Sequence, residues 1–173
     1  LMTGLFLDQR ANRQWLAKVS KGKTVCNTFS YTGALSIACA LGGATQTTSV
    51  DLSARYSTWC EENIALNHLD LTNHLAITND AFAHFDFCKR NNIKYDIIIL
   101  DPPTFAKKKG GSFSVAEDYE KLVRLAVPLL NTHGILASAT NYSQWSFQDF
   151  HDLVETSIQK IGYQMQEICH AQA

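Results

Sequence analysis

An unbroken apolar run, followed by an acid and two prolines, constrains the fold of this chain most strongly. Ile97-Ile98-Ile99-Leu100 is apolar at every position, whereas a strand with one face in solvent alternates apolar and polar residues. The run therefore predicts a strand over residues 95–100 that is buried on both faces, at the centre of a parallel sheet. Asp101-Pro102-Pro103 comes next. Because proline cannot donate to a strand ladder, we expect the strand to end there.

Strand and helix patterns alternate along the rest of the chain. Segments rich in β-branched residues predict further strands over residues 23–29, 46–50, 74–78, 134–139 and 163–169. Helical periodicity with terminal Ser or Gly signals predicts helices over residues 34–41, 54–67, 81–91, 116–130 and 147–161. Residues 104–115 are expected to form a polar loop. Strands alternating with helices in this way predict a doubly wound, mostly parallel α/β sheet in a single domain over residues 1–173.

The composition excludes several classes of protein. Of the 173 residues 46% are hydrophobic, and 15 Lys and Arg stand against 16 Asp and Glu, so neither disorder nor a coiled coil is expected. The apolar runs are too short to span a bilayer. The chain starts at Leu1 and ends at Ala173 without terminal signals, which suggests a segment of a longer protein.

Cysteine and histidine usage points to a cytoplasmic protein without a metal. The 5 cysteines contain no Cys-x-x-Cys pair, which predicts buried, reduced thiols in the cytoplasm. The 6 histidines are scattered without ligand spacing. We therefore predict no zinc or other metal site.

Polar side chains follow the predicted strands where each strand ends. Three of these positions carry an acid: Asp51, Asp80 and Asp101. Asp is common in turns and before helices, so a single acid would indicate little. In a doubly wound sheet, however, ligands bind beyond the carboxyl ends of the strands, where the strand order reverses. Acids at equivalent strand ends therefore predict a binding site.

The turn after the first strand indicates the class of ligand. Ser30-Tyr31-Thr32-Gly33 contains one glycine, whereas dinucleotide sites need three glycines, and no P-loop motif is present in the sequence. A ligand without a pyrophosphate is therefore expected. An acid after the second strand can accept from two ribose hydroxyls, and an acid after the third can accept from an adenine amine. This pattern fits S-adenosylmethionine.

Four segments carry a resemblance to a known family: Thr3–Arg13, Asn27–Gly33, Val50–Ser53 and Leu100–Phe105. In this order and spacing they closely resemble the catalytic domain of bacterial 23S rRNA methyltransferases of the RlmI and RlmK/L type, over nearly the whole chain. The resemblance implies a Rossmann-like class I methyltransferase fold, S-adenosylmethionine as cofactor and 23S rRNA as substrate. It also implies an accessory RNA-binding domain outside this segment.

The resemblance implies a role for each of these motifs. Residues of the first-strand turn would contact the methionine part of the cofactor, Asp51 the ribose and Asp80 the adenine. Arg10 would pair with the cofactor carboxylate, or else lie in solvent next to an edge strand and a capping helix. The cofactor site implied in this way comprises Phe6, Asp8, Gln9, Arg10, Asn27, Phe29, Tyr31, Thr32, Gly33, Asp51, Leu52, Ser53, Asp80, Ala81 and Asp101.

The methyl acceptor would lie at the central strand end. Asp101, Pro102 and Pro103 offer a carboxylate and outward carbonyls that can hold the edge of a base, and Phe105 can stack on its face; alternatively, this is a structural turn with Phe105 in the core. Lys107-Lys108-Lys109 follows, and residues 1–23 and 89–109 are both basic. A basic segment next to the acceptor turn suits RNA phosphate, although such runs are more often solvated surface.

The expected reaction depends on whether a cysteine follows the fifth strand. RlmI-like members methylate cytosine C5 and have a nucleophilic cysteine there. The corresponding residues 137–143 contain none, and Asn141 agrees with the RlmK/L-like members. We therefore expect methylation of guanine N7, with catalytic residues Asp101, Pro102, Pro103, Phe105 and Asn141. Three alternatives remain open: cytosine C5 methylation, a non-catalytic RNA-binding domain of methyltransferase-like fold, and a dehydrogenase with a degenerate glycine loop.

Overall fold

The computed structural model describes residues 4–108 and 111–166. Residues 4–9, which we call the N-terminal strap, are irregular and lead into the first helix. The helices are α1 (Arg10–Val19), α2 (Ala34–Leu41), α3 (Ala54–Leu66), α4 (Ala81–Arg90), α5 (Val115–Ala126) and α6 (Phe147–Gln159), with a short 3₁₀ turn over Val127–Leu129. The strands are β1 (Thr24–Thr28), β2 (Gln46–Asp51), β3 (His74–Thr78), β4 (Tyr95–Leu100), β5 (Phe105–Lys108), β6 (Gly111–Ser114) and β7 (Leu130–Ser138).

Five strands form one parallel sheet in the order β3-β2-β1-β4-β7. The chain runs outward from β1 to β3 and then returns to place β4 on the other side of β1, so the strand order reverses between β1 and β4. Thr28 is paired with both Val50 and Leu100. The carboxyl ends of the three central strands therefore lie at one edge. This confirms the predicted doubly wound parallel sheet.

The apolar run of β4 is buried because helices cover both faces of the sheet. Ile97 and Ile99 pack with residues of α1 and α2, including Leu16 and Leu35. Ile98 and Leu100 face the opposite way and belong to a larger cluster with α4, α5 and α6. The alternation of side chains along a strand thus sends successive residues into two separate cores. The predicted central position of this strand is confirmed.

Two predictions for the part of the chain that follows Asp101-Pro102-Pro103 were wrong. Residues 104–115 were expected to form a loop, but β5 and β6 pair as an antiparallel hairpin. Phe113 explains the difference, because its buried ring lies against Phe29 and Phe82 and anchors the hairpin to the core. The fifth strand of the sheet starts at Leu130 rather than 134, with a bulge after the Tyr95–Leu130 pair, and α5 ends correspondingly earlier.

The predicted sixth strand is not present where the structure can test it. Residues 163–166 are irregular, and residues 167–173 lie outside the described part of the chain. Cys26, Cys39, Cys60 and Cys88 are buried free thiols, as the sequence indicated, while Cys169 lies outside the described residues. Within residues 4–108 and 111–166, no helix combines the length and apolar character needed to cross a membrane.

The turn between β1 and α2 depends on Gly33. It has φ of +79° at the start of α2, and a Cβ atom there would overlap the Cys60 sulfur of α3. We expect Gly33→Ala to lower the free energy of unfolding by about 2–4 kcal/mol, since it combines backbone strain with overpacking. Urea unfolding followed by circular dichroism would measure this loss.

Gly22 provides the matched control. Its φ is +72°, but an added Cβ would meet nothing within 4 Å. Gly22→Ala should therefore lower the free energy of unfolding by backbone strain alone, about 1 kcal/mol. Equal losses of unfolding free energy in the two variants would show that overlap with Cys60 does not exclude a side chain at Gly33.

Candidate functional site

A cleft of about 520 Å³ lies at the carboxyl edge of the sheet, between the N-terminal strap and the ends of β1, β2 and β4. A smaller subpocket of about 50 Å³ adjoins it and shares Phe6, Gln9, Phe29, Tyr31 and Asp101 with it. Most residues predicted from the sequence line the cleft: Phe6, Asp8, Gln9, Phe29, Tyr31, Asp51, Leu52, Ser53, Asp80, Ala81, Asp101, Pro102, Pro103 and Asn141. Asn27 and Thr32 line the subpocket.

Three predicted site residues lie outside both cavities. Arg10 is exposed at the start of α1. Gly33 shapes the turn without lining the cleft, because its backbone starts α2 and faces Cys60. Phe105 is 71% exposed on β5, so it is neither a core residue nor part of the cleft wall. A direct cofactor contact by Arg10 or Gly33 therefore has no support in this geometry.

Several lining residues were not identified from the sequence. Arg13 lines the subpocket one helical turn after Arg10, and only the phase of α1 distinguishes the two. Phe113 lines the cleft because of the unexpected hairpin, so no local signal could have indicated it. The other cleft residues that were missed are Val50, Tyr56, Asn79, Phe82, Ala106 and Thr140.

Asp51 connects the turns that follow β1 and β2. Its Oδ2 accepts a hydrogen bond from the Tyr31 N–H at 2.9 Å, and its Oδ1 accepts one from the Ser53 N–H at 2.9 Å. Ser53 therefore gives its N–H to Asp51, and its side chain makes no capping bond to α3. Burial raises the pKa of Asp51, and the two backbone bonds oppose that rise. Each oxygen retains a lone pair for a further donor from the cleft.

Tyr31 is held in an unusual conformation by an aromatic cluster. Its φ is +51°, a region that costs a non-glycine residue about 1 kcal/mol or more. The rings of Phe6, Tyr56 and Trp59 surround it at centroid distances of 5.4, 4.6 and 6.1 Å. Its hydroxyl also accepts the Gly4 N–H at 3.2 Å. This packing aims the Tyr31 N–H at Asp51 and joins the strap to the cleft.

Asp80 has one oxygen committed to the fold and one available. Its Oδ1 accepts from the Ala83 N–H at 3.1 Å and caps α4. The preceding Asn79 uses its Oδ1 to accept the Asp80 N–H at 2.9 Å. This leaves the second Asp80 oxygen as an acceptor at the cleft wall, which suits the exocyclic amine of an adenine.

The subpocket pairs a cation with an unsatisfied acceptor. Asn27 is 1% exposed; its Nδ2 donates to Ser36 Oγ at 2.9 Å, while its Oδ1 has no partner among the described residues. Arg13 donates from Nη1 to the Phe6 carbonyl at 2.7 Å, which leaves its other N–H groups for a ligand. A buried acceptor without a partner costs about 1–3 kcal/mol. A zwitterionic amino acid group would satisfy both, its ammonium at Asn27 and its carboxylate at Arg13.

Asp101 lies where β4 and β7 end. The Tyr119 hydroxyl contacts the carbonyl of Ala139 at 2.9 Å and that of Leu100 at 3.3 Å, which ties the two strand ends together. Thr104 Oγ1 donates to Asn141 Oδ1 at 2.8 Å, so Asn141 is fixed beside the proline turn. Burial, and then the charge of Asp8, raise the pKa of Asp101 to about 6.

One group of potential metal ligands exists among the described residues: His151, Asp152 and Glu155, on α6. None of the three lines the cleft or the subpocket. Exposed acids of this kind are common without a metal. The absence of a metal therefore stays a prediction.

A family profile and the most similar relatives that were found indicate the same family for this chain. The family profile described as S-adenosylmethionine-dependent methyltransferase matches residues 1–160. A Bacillus subtilis (strain 168) protein named as a candidate ribosomal RNA large subunit methyltransferase, YwbD, is 40% identical over 160 residues, covering 92% of this chain and 40% of that protein. The ribosomal RNA large subunit methyltransferase K/L of Acinetobacter baumannii (strain AYE) is 38% identical over 172 residues, covering 94% of this chain and 23% of that protein.

A solved structure is also similar. The crystal structure of SMU.776, a protein named as a candidate methyltransferase, in complex with SAH, S-adenosylhomocysteine, superposes with a TM-score of 0.86 at 43% identity, covering 91% of this chain and 42% of that chain. This chain thus spans less than half of the length of each of these relatives.

The raised pKa of Asp101 gives a stability prediction with a definite sign. Ionisation of a group whose pKa is raised in the folded state lowers the free energy of unfolding. The stability that the protonated Asp101 carboxyl contributes is therefore fully present below about pH 4 and is lost as the pH rises through about 6. We expect Asp101→Asn to be more stable than the parent at pH 8 by roughly 2–3 kcal/mol, with the difference vanishing near pH 4. Urea unfolding at several pH values would measure it.

Asp86→Asn is the control, since Asp86 lies exposed on α4 and its loss removes the same charge. It should change stability little at any of these pH values. A pH-independent effect of Asp101→Asn, or destabilisation at pH 8, would contradict the burial of a charged Asp101.

Proposed function

This chain belongs to the S-adenosylmethionine-dependent methyltransferase family, and on this premise we propose that it transfers a methyl group from S-adenosylmethionine to a base of large-subunit ribosomal RNA. The expected family resemblance, Rossmann-like class I fold and cofactor are confirmed by the family match and by the similarity to the SAH complex. The RNA substrate and the target atom are part of the proposal.

The observation that carries the proposal is the distribution of acceptors and donors along the cleft and the subpocket that adjoins it. Asp51 and Asp80 offer carboxylate lone pairs at one end, and Arg13 and Asn27 offer a cation and an acceptor in the subpocket. S-adenosylmethionine has a nucleoside at one end and an amino acid at the other, with no phosphate. Asp51 would hold the ribose, Asp80 the adenine amine, and Arg13 with Asn27 the amino acid. The cofactor supplies an electrophilic methyl group between these ends.

Asp101 lines both cavities, which places it next to the junction where the methyl group would lie. Pro102 and Pro103 line the cleft beside it, as does Asn141. These groups would hold a flipped-out base, because a carboxylate and outward carbonyls accept from base N–H groups. Phe105 lies outside the cleft and is exposed, so we assign it to stacking on RNA at the surface rather than on the target base.

Two observations support RNA as the substrate. The relatives carry ribosomal RNA in their names. In addition, Lys107 and Lys108 end β5 after the proline turn, and Lys109, which lies outside the described residues, follows them in the sequence. Basic residues at this position would meet the phosphates around the target base. An enzyme of this kind would work in the cytoplasm, where ribosomal RNA is accessible.

The described cysteines favour guanine N7 over cytosine C5 as the target atom. Methylation of C5 needs a thiolate that attacks the ring. Cys26, Cys39, Cys60 and Cys88 are buried and line neither cavity, and burial raises the pKa of Cys39 to about 11. Guanine N7 already carries a lone pair, so its methylation needs positioning rather than a nucleophile.

Two ligands related to the cofactor test where its adenosine and its amino acid bind. S-adenosylhomocysteine and methylthioadenosine share the adenosine, but only the first has the amino acid. We expect Asp51→Ala to weaken binding of both by roughly 10- to 100-fold, the loss of about 1.5–3 kcal/mol of charge-assisted hydrogen bonding. Arg13→Ala should weaken S-adenosylhomocysteine about 10-fold or more and leave methylthioadenosine nearly unchanged. Titration calorimetry measures each affinity.

Arg10→Ala serves as the matched control, because Arg10 is exposed one helical turn from Arg13, and it should bind both ligands like the parent. Equal losses of both ligands in Arg13→Ala would mean that Arg13 only holds the strap through Phe6. A parent chain that binds neither ligand would contradict the proposed function and favour a module that binds RNA alone.

Product analysis tests the reaction. Unmodified 23S rRNA incubated with the chain and methyl-labelled S-adenosylmethionine should yield labelled 7-methylguanosine after digestion to nucleosides. Asp101→Ala should lower turnover but leave cofactor affinity close to that of the parent. Replacement of all five cysteines by Ser or Ala should preserve the product.

Labelled 5-methylcytidine, or loss of activity on changing one cysteine while folding is intact, would support cytosine C5 instead. Nicotinamide-dependent turnover in place of methyl transfer would support the dehydrogenase alternative.

A further inference from the structure

Two carboxylates, those of Asp8 and Asp101, share the large cleft, although they come from distant parts of the chain. Asp101 follows β4, and Asp8 lies on the N-terminal strap. Both line the same cleft, and the charge of Asp8 adds to the effect of burial in raising the pKa of Asp101. Asp8 lines the cleft but not the amino acid subpocket. Asp8 therefore borders the part of the cavity that would hold the cofactor's nucleoside and the target base.

The strap fixes Asp8 from both sides. Before it, Gly4 donates to the Tyr31 hydroxyl and accepts from Thr32 Oγ1 at 2.5 Å, and the Phe6 carbonyl accepts from Arg13. After it, the Leu7 carbonyl accepts the Arg10 N–H at 3.0 Å at the start of α1. The backbone on both sides of Asp8 is thus anchored, while its side chain is exposed. A carboxylate held in this way can serve a ligand rather than the fold.

The cleft around this pair is strongly anionic. Its ionisable carboxyl groups are those of Asp8, Asp51, Asp80 and Asp101, and its described lining contains no Lys, Arg or His. Asp101 has three ionisable neighbours: Asp8 on the strap, the Tyr119 hydroxyl on α5, and Arg13 on α1, which lines the subpocket together with Asp101. A cavity of this composition stabilises positive charge inside it.

We propose that Asp8, with Asp101, stabilises the positive charge that forms on the guanine base during methyl transfer, a role that rests on the proposed function. The N7 lone pair forms the new bond to the methyl carbon while the carbon–sulfur bond breaks toward sulfur. Sulfur becomes neutral and the purine becomes a cation; no proton leaves the purine. The charge therefore moves toward the base, and groups that favour charge there lower the barrier.

This role would favour methylation at guanine N7 but not at cytosine C5. Methylation at C5 ends with a neutral base after a proton is lost, so a pair of carboxylates at the base would gain nothing from the product charge. Methylation at N7 leaves a base that is cationic as long as N1 keeps its proton. The same pair should therefore bind 7-methylguanosine, the cationic product nucleoside, more tightly than neutral guanosine.

The test compares these two nucleosides as probes in the presence of saturating S-adenosylhomocysteine. At a pH where 7-methylguanosine is charged, ligand-observed NMR should show several-fold tighter binding of 7-methylguanosine to the parent chain. Asp8→Asn should reduce this preference by about fivefold, the effect of one partly exposed charge pair. Asp86→Asn, which removes an equivalent charge on α4, should leave the preference intact. Equal binding of the two nucleosides, or an unchanged preference in Asp8→Asn, would overturn the proposal.

A second measurement does not depend on the cofactor. The Asp101 carboxyl carbon can be titrated by NMR in the parent and in Asp8→Asn. Loss of the Asp8 charge should move the Asp101 midpoint to lower pH, and an unchanged midpoint would show that the two groups do not act as a pair. If S-adenosylhomocysteine does not bind, the proposed function fails, and this titration still decides whether Asp8 acts on Asp101.

Discussion

The parallel pairing of β1 with both β2 and β4 is the constraint on which the site depends. Because Thr28 is aligned with Val50 on one side and Leu100 on the other, Asp51 and Asp101 emerge at the same edge as the turn after β1. A one-residue slip in either pairing would turn every side chain of the slipped strand to the opposite face of the sheet. In the observed register, each apolar residue of β4 has a place in one of two cores.

Some polar groups in the cleft lower the free energy of unfolding, and apolar burial elsewhere in the fold offsets this loss. Burial raises the pKa of both Asp51 and Asp101, so each ionised carboxylate weakens the fold unless a ligand compensates. Asn27 adds a buried acceptor without a partner among the described residues. These unfavourable polar groups all lie at one edge of the sheet, whereas the two cores contain fully buried apolar residues. Such a distribution is typical of a binding site whose polar groups form their hydrogen bonds with the ligand.

The elements nearest the sheet centre could be predicted from the sequence, and those set by tertiary packing could not. The β4 run and the strand-end acids follow from local patterns, because burial and turn position dictate those residue types. The hairpin of β5 and β6 depends on Phe113 reaching Phe29 and Phe82, a contact that no local pattern encodes. The choice of Arg13 over Arg10 depends on the rotation of α1 against the subpocket, and a motif alone does not determine that rotation.

The central claim is that the cleft holds the nucleoside at Asp51 and Asp80 while the adjoining subpocket holds the amino acid at Arg13 and Asn27. A crystal structure of this chain with S-adenosylhomocysteine tests it most directly. The account predicts both ribose hydroxyls within hydrogen-bond distance of the Asp51 carboxylate, and the ligand ammonium at Asn27 Oδ1, with the carboxylate at the Arg13 guanidinium. A ligand in the reverse orientation, or one whose amino acid lies outside the subpocket, would contradict the account.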